Sequence, residues 1–130
     1  MVLKHCFALG FSALMIAGCE YAGPASDAAA QKRAQNEALW AERTTVRDGS
    51  KAYAFSADTT RGLALMAPAA DGFAYTASDL ERIASAKTGC TAVFQDGILE
   101  LLDGYTEKTN LRSMQEQLDS FRRWQLKLTC

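Results

Sequence analysis

The last seven residues, Trp124 to Cys130, alternate large apolar and polar side chains without a break. Only an extended strand sends every second residue to the same side, so this chain has to build a sheet with one covered face. Trp124, Leu126, Leu128 and Cys130 form the inward set, and Gln125, Lys127 and Thr129 the outward set. Any fold proposed for the rest must supply neighbours for that strand and apolar cover for its inner side.

Two further regions carry the same period. Tyr53, Phe55 and Ala57 alternate with Ala52, Ala54 and Ser56 after the turn signal Asp48-Gly49-Ser50. Asp58-Thr59-Thr60 breaks the pattern, and Leu63 to Ala67 resumes an apolar run that ends at Pro68, so a first hairpin is expected with a loop from Pro68 to Gly72. Cys90 to Gln95 alternates again. Asp96-Gly97 then has the composition of a two-residue hairpin turn, with Ile98 to Leu102 as the return strand. That pairing would set Phe94 opposite Leu99 and Ala92 opposite Leu101 on one face.

Helical signals lie between these runs. Ser26 or Asp27 can cap an alanine-rich helix reaching about Arg43, whose stripe Ala30, Ala34 and Ala38 is thin until Leu39 and Trp40. It reads equally as a stalk, a partner-binding arm or an edge helix packed through Leu39 and Trp40. Ser78-Asp79-Leu80-Glu81 has capping-box spacing, followed by Leu80, Ile83, Ala84 and Lys87, with Gly89 at the exit. From Asn110 to Arg123, Leu111, Met114, Leu118 and Phe121 recur at helical steps opposite Arg112, Gln115, Glu116 and Asp119. The expected order is α-β-β-α-β-β-α-β: a small α+β fold, with about five mostly antiparallel strands and helices on one face. No internal repeat stands out.

The N-terminus is of another kind. Lys4 precedes an apolar stretch, Cys6 to Gly18, that is shorter than the roughly 20 residues of a membrane-spanning helix. A basic start, a short apolar run and small residues before a cut describe a secretory signal. Its end, Leu14-Met15-Ile16-Ala17-Gly18-Cys19, resembles the lipobox of bacterial lipoproteins. The resemblance covers residues 1–19 and implies cleavage between Gly18 and Cys19, with lipid attached to Cys19. Ordinary cleavage after Ala25 is the rival. In that family an aspartate after the lipidated cysteine retains the protein in the inner membrane. Glu20 stands there, so the resemblance favours the outer membrane, facing the periplasm.

The implied layout is a signal peptide at residues 1–18, a tether at 19–26 containing Gly23-Pro24, and one α+β domain at 27–130. Cleavage would leave 112 residues with 13 Lys and Arg against 15 Asp and Glu, a mild acidity that offers nothing to nucleic acid. It would also remove His5, the only histidine, and with it histidine-dependent acid–base, triad or zinc chemistry. Cys6 would leave with the signal and Cys19 would carry lipid, so Cys90 and Cys130 remain as a pair in an oxidising compartment. No Cys-x-x-Cys spacing recommends a redox role for them. A structural bridge closing about 40 residues would contribute roughly 4 kcal/mol on the chain-entropy model.

Other candidates have plainer explanations. Asp96, Glu100 and Asp103 gather three carboxylates on one expected hairpin, but Asp96 and Asp103 each precede glycine and suit turns. Ser56, Thr59, Thr60 and Ser113 lie in no hydrolase motif, and no phosphate-binding glycine loop occurs. Arg122-Arg123 could meet a phosphate or anionic lipid, or complement a helix C-terminus. Trp40, Tyr53, Phe55, Phe73 and Tyr75 could line a groove for peptide, glycan or lipid, though aromatics at strand phase usually fill a core.

A lipid anchor joined to such a domain points to a binding or structural module rather than an enzyme. Its expected partners are the membrane, through the lipid, and an envelope protein. No nucleic acid, metal or cofactor is expected. Two alternatives stay open: a periplasmic inhibitor or immunity-type lipoprotein, and a carboxylate-dependent enzyme acting on cell wall or sugar.

Overall fold

The structure, a computed structural model, describes residues 24–130 and the side chains of residues 26–130. The expected cleavage and lipid site at Gly18 and Cys19 lies outside the described residues. The chain divides into two units after Ala38. The described part of the first is the body of helix α1 (Pro24–Ala41), already helical at Pro24, where the expected tether was to continue to residue 26. Proline is accepted there because a helix's first amide lacks an intrahelical partner anyway. The side chains of residues 26–35 are exposed, Ala30 and Ala34 among them.

The second unit, Leu39–Cys130, is an α+β fold built on five antiparallel strands. In chain order come β1 (Thr44–Asp48), β2 (Lys51–Asp58), β3 (Leu63–Pro68), helix α2 (Ala77–Thr88) and β4 (Thr91–Phe94). A 3-10 turn (Gly97–Leu101), a short helix α3 (Leu111–Gln115) and β5 (Trp124–Thr129) follow. In space the strands run β1-β2-β3-β5-β4, so β1 and β4 are the edges. The terminal strand therefore sits inside the sheet, between β3 and β4.

β1 carries no strong alternation, and sequence reasoning left it out. Asp48-Gly49-Ser50 is the turn of a β1–β2 hairpin with Asp48 opposite Lys51. Gly49 holds φ 64, the positive value a tight hairpin turn needs at its first central residue. The expected β2–β3 hairpin is present, with Phe55 opposite Met66. Its turn depends on Gly62, at φ 68, where an added Cβ would stand 2.8 Å from the Leu128 carbonyl oxygen.

The second expected hairpin does not form. Residues 97–101 wind into a 3-10 turn, leaving Leu99 buried but Ile98 64% and Leu101 82% exposed. The cause lies at the edge where the return strand would have paired. The Ala92 N–H donates to Ser85 Oγ at 3.1 Å, and the Phe94 N–H donates to Glu81 Oε2 at 2.8 Å. Helix α2 thus satisfies the outward amides of β4, while β5 takes the other edge with Ala92 opposite Leu128 and Phe94 opposite Leu126. Local turn chemistry lost to a better long-range partner.

Two helix expectations also change. α2 starts at Thr76 rather than Ser78: Thr76 Oγ1 accepts the Asp79 N–H at 3.1 Å, and Asp79 Oδ2 accepts the Thr76 N–H at 3.0 Å. The expected helix over residues 110–123 closes at Gln115, where bonds from Gln117 to Met114 and Leu118 to Gln115 tighten the backbone. Ser120 then takes φ 58, which no α-helix continues through. Leu111, Met114, Leu118 and Phe121 still pack inward, so the period reported burial correctly and helix length incorrectly.

Alternation assigns each strand two faces. Val46, Tyr53, Phe55, Met66, Trp124, Leu126 and Phe94 meet Leu80, Ile83 and Ala84 of α2 in the main core. Leu63, Leu65 and Ala67 of β3 turn the other way and are buried with Trp40, from the last turn of α1. The packed-helix reading of Leu39 and Trp40 thus holds for that turn. Cys90 and Cys130 are joined by a disulfide, with Cα atoms 4.4 Å apart, next to the Thr91–Thr129 pair.

Candidate functional site

The second face of the sheet carries a groove of about 590 Å³. Its floor is set by strand register: Thr45, Ala54 and Ala67 are cross-strand neighbours on β1, β2 and β3. None extends beyond Cγ, so the face is recessed there. Trp40 forms a wall and Arg43, Thr44 and Arg122 complete the rim, with no carboxylate in the lining among the described residues. A second depression of about 450 Å³, lined by Leu65, Phe121, Arg123 and Asp119, shares Arg122 with it.

Trp40 organises the cations. The Arg43 guanidinium carbon lies 5.0 Å from the ring centroid and that of Arg123 lies 5.8 Å away, both within cation–π range. Arg43 Nη1 also donates to the Trp40 carbonyl oxygen at 2.9 Å. Charge is held beside an aromatic wall by packing, which limits the ordering cost of binding an anion. Arg122 and Arg123 therefore do not serve a helix C-terminus: α3 has ended at Gln115, turns follow to Ser120, and beyond them Arg122 lines the groove and Arg123 lies over the Trp40 ring.

The groove opens at one end onto β1, an edge strand. Its bonding phase follows from one neighbour: the Ala69 N–H donates to the Ala52 carbonyl at 2.8 Å, so Ala52 turns its polar groups toward β3. Antiparallel alternation then gives Lys51, Tyr53 and Phe55 to β1, which employs Asp48, Val46 and Thr44 as their partners. Thr45 and Arg47 are left presenting N–H and C=O outward, and both residues are exposed. The two edges differ in kind, because the outward amides of β4 already end on Ser85 and Glu81.

The other sequence candidates fall elsewhere. Tyr53, Phe55 and Tyr75 are core residues, and Phe73 packs edge-on against Tyr53 at 5.3 Å. The Tyr75 hydroxyl accepts from Trp124 Nε1 at 2.7 Å and donates to Gln115 Oε1, tying β5 to α3. Burial pushes the Tyr53 phenol up to about 12, helped by the charges of Asp79 and Asp48. Asp96 and Glu100 do meet on the 3-10 turn, where a hydrogen bond between their side chains raises the Glu100 carboxyl above its usual value. Glu100 and Asp103 are exposed, and among the described residues no group of three His, Cys, Asp or Glu side chains is placed to hold a metal ion. Ser56 is buried without a hydrogen-bond partner, beside a third depression lined by Leu39, Glu42 and Lys87. Thr59 lies in the β2–β3 turn and lines the same depression, while Thr60 and Ser113 are exposed.

Sequence reasoning named Trp40, Arg122 and Arg123 but not Arg43, Thr45 or Arg47. The missing signal was β1 itself, since the groove exists only once a strand is placed at Thr44–Asp48. No helix among the described residues is long and apolar enough to cross a membrane. No protein-family model, curated protein or solved structure matches the chain.

Proposed function

We propose that this chain is a lipid-anchored protein of the bacterial envelope whose sheet domain is a binding module. The anchor rests on the resemblance of Leu14 to Cys19 to a lipobox, with Cys19 the lipidated residue and Gly18–Cys19 the cleaved bond. Glu20 favours the outer membrane and the periplasmic side. The disulfide between Cys90 and Cys130 is consistent with an oxidising space.

Binding, rather than catalysis, is supported by one observation: the arginine- and threonine-rimmed groove beside Trp40, which opens onto the exposed strand β1. Its lining offers fixed positive charge, hydroxyls and a small apolar floor. Those groups suit recognition of a ligand, and the described lining holds no His, Cys, Asp or Glu to serve as a general acid or base. The partner is a component of the same envelope, held within reach by the tether.

Fractionation tests the anchor, and substitution of the three carboxylates tests the module against the enzyme reading. Cys19→Ala should move the protein from the membrane to the soluble fraction and abolish labelling by radioactive palmitate. Unchanged fractionation would refute the anchor. If Asp96→Ala, Glu100→Ala or Asp103→Ala abolished a peptidoglycan-degrading activity without unfolding, the enzyme reading would replace this one.

A further inference from the structure

We infer that the partner enters as an extended, acidic peptide segment that adds a strand to β1 and places acidic side chains over the Trp40 groove. This deepens the binding-module reading and rests on it, but does not depend on the lipid.

Three observations converge. The first is edge asymmetry: β1 presents the outward amides of Thr45 and Arg47, whereas α2 closes the β4 edge through Ser85 and Glu81. Native sheets usually blunt exposed edges, and of these two only β4 has been blunted by a helix. The second is phase. Thr45 and Arg47 share the sheet face of Ala54 and Ala67, because side chains alternate along β1 and Thr45 is the neighbour of Ala54. A strand added to β1 would send every second side chain to that same face. The third is charge: Arg43 and Arg122 rim the groove, Arg47 stands on the strand itself, and among the described residues the lining is without carboxylates. Main-chain pairing would supply affinity, and acidic residues at alternate positions would supply register and specificity.

The exposed apolar turn at Ile98 and Leu101 is a weaker candidate for the same role. It offers side chains but no free strand edge, and its neighbours Asp96 and Glu100 are acidic, so it would repel the segment proposed here.

The test uses the full chain in detergent and varies only the peptide, so no variant has to fold. Three probes are capped hexapeptides: alternating Glu and Val, alternating Lys and Val, and the Glu–Val peptide N-methylated at alternate amides. Fluorescence anisotropy should show the Glu–Val peptide binding about tenfold tighter than the Lys–Val peptide at low salt, with the advantage falling as salt rises. The N-methylated peptide should lose binding, and Glu–Val peptide should slow hydrogen exchange at Thr45 and Arg47. Equal binding of the Glu and Lys peptides would overturn the charge assignment. Equal binding of the methylated and parent peptides would overturn strand addition and leave an anion groove. Either failure, with Cys19-dependent fractionation intact, removes this inference and spares the anchor.

Discussion

Glu81 on α2 accepts the backbone N–H of Phe94 on β4 at 2.8 Å, and together with Ser85 on the Ala92 N–H it closes that edge of the sheet. With both acceptors in place, neither outward amide of β4 is left to donate to a sixth strand. Glu81→Ala should therefore destabilise the domain by about 1–3 kcal/mol, the cost of stranding a buried amide donor. Urea denaturation measures the loss, and Glu81→Gln, which keeps an acceptor oxygen, should recover part of it. The alanine variant should also self-associate more, because the Phe94 amide at the β4 edge would then be open to another strand.

The Cys90–Cys130 bridge ties the edge strand β4 to the chain end beyond β5. Replacing both cysteines by serine should lower stability by roughly 4 kcal/mol, from the entropy regained by the unfolded chain. Mass spectrometry of the unreduced protein should find neither thiol reactive toward alkylating agents. Equal denaturation midpoints with and without reductant would contradict the structural role.

Gly62 meets two constraints at once. A side chain would have to accept φ 68 and a Cβ 2.8 Å from the Leu128 carbonyl oxygen. The conformational part alone costs about 1–2 kcal/mol, so Gly62→Ala should exceed that. Gly49→Ala shares the positive φ but meets nothing within 4 Å, and should cost less. Thermal melting of the two variants compares them directly.

Alkaline titration probes the tyrosine core. Burial lifts both Tyr53 and Tyr105 to about 12, above the ordinary value near 10. A raised folded-state value means the stabilisation is complete below pH ~10 and is lost as pH climbs through about 12. Phenolate absorbance from these two residues should therefore appear near pH 12, together with loss of the folded state. Their ionisation near pH 10 in folded protein would contradict the burial.

Legibility followed the range of the forces involved. The strands at Ala52–Ala57, Cys90–Gln95 and Trp124–Cys130 were readable because each alternates on its own, and Leu63–Ala67 because it is an apolar run ended by Pro68; the disulfide agreed with the phase of the two strands that carry Cys90 and Cys130. The Asp96-Gly97 hairpin misled because a turn signal reports only the backbone it sits in. It cannot register that Ser85 and Glu81 already occupy the β4 edge. The 110–123 segment misled in the opposite way: its inward residues were right, but the left-handed turn at Ser120 has no apolar signature. β1 was invisible because Thr44–Asp48 contributes only Val46 to the core. The groove was lost with it, since its floor is a register between three strands rather than a run of residues.

The proposed recognition site is the β1 edge together with the Trp40 groove. Photo-crosslinking from a benzoylphenylalanine placed at Thr45, compared with one placed at Ile98, tests it most directly in membrane-fraction protein. Position 45 should yield an adduct that the Glu–Val peptide suppresses and the Lys–Val peptide does not, with none from position 98. An adduct from position 98 alone, indifferent to either peptide, would contradict it.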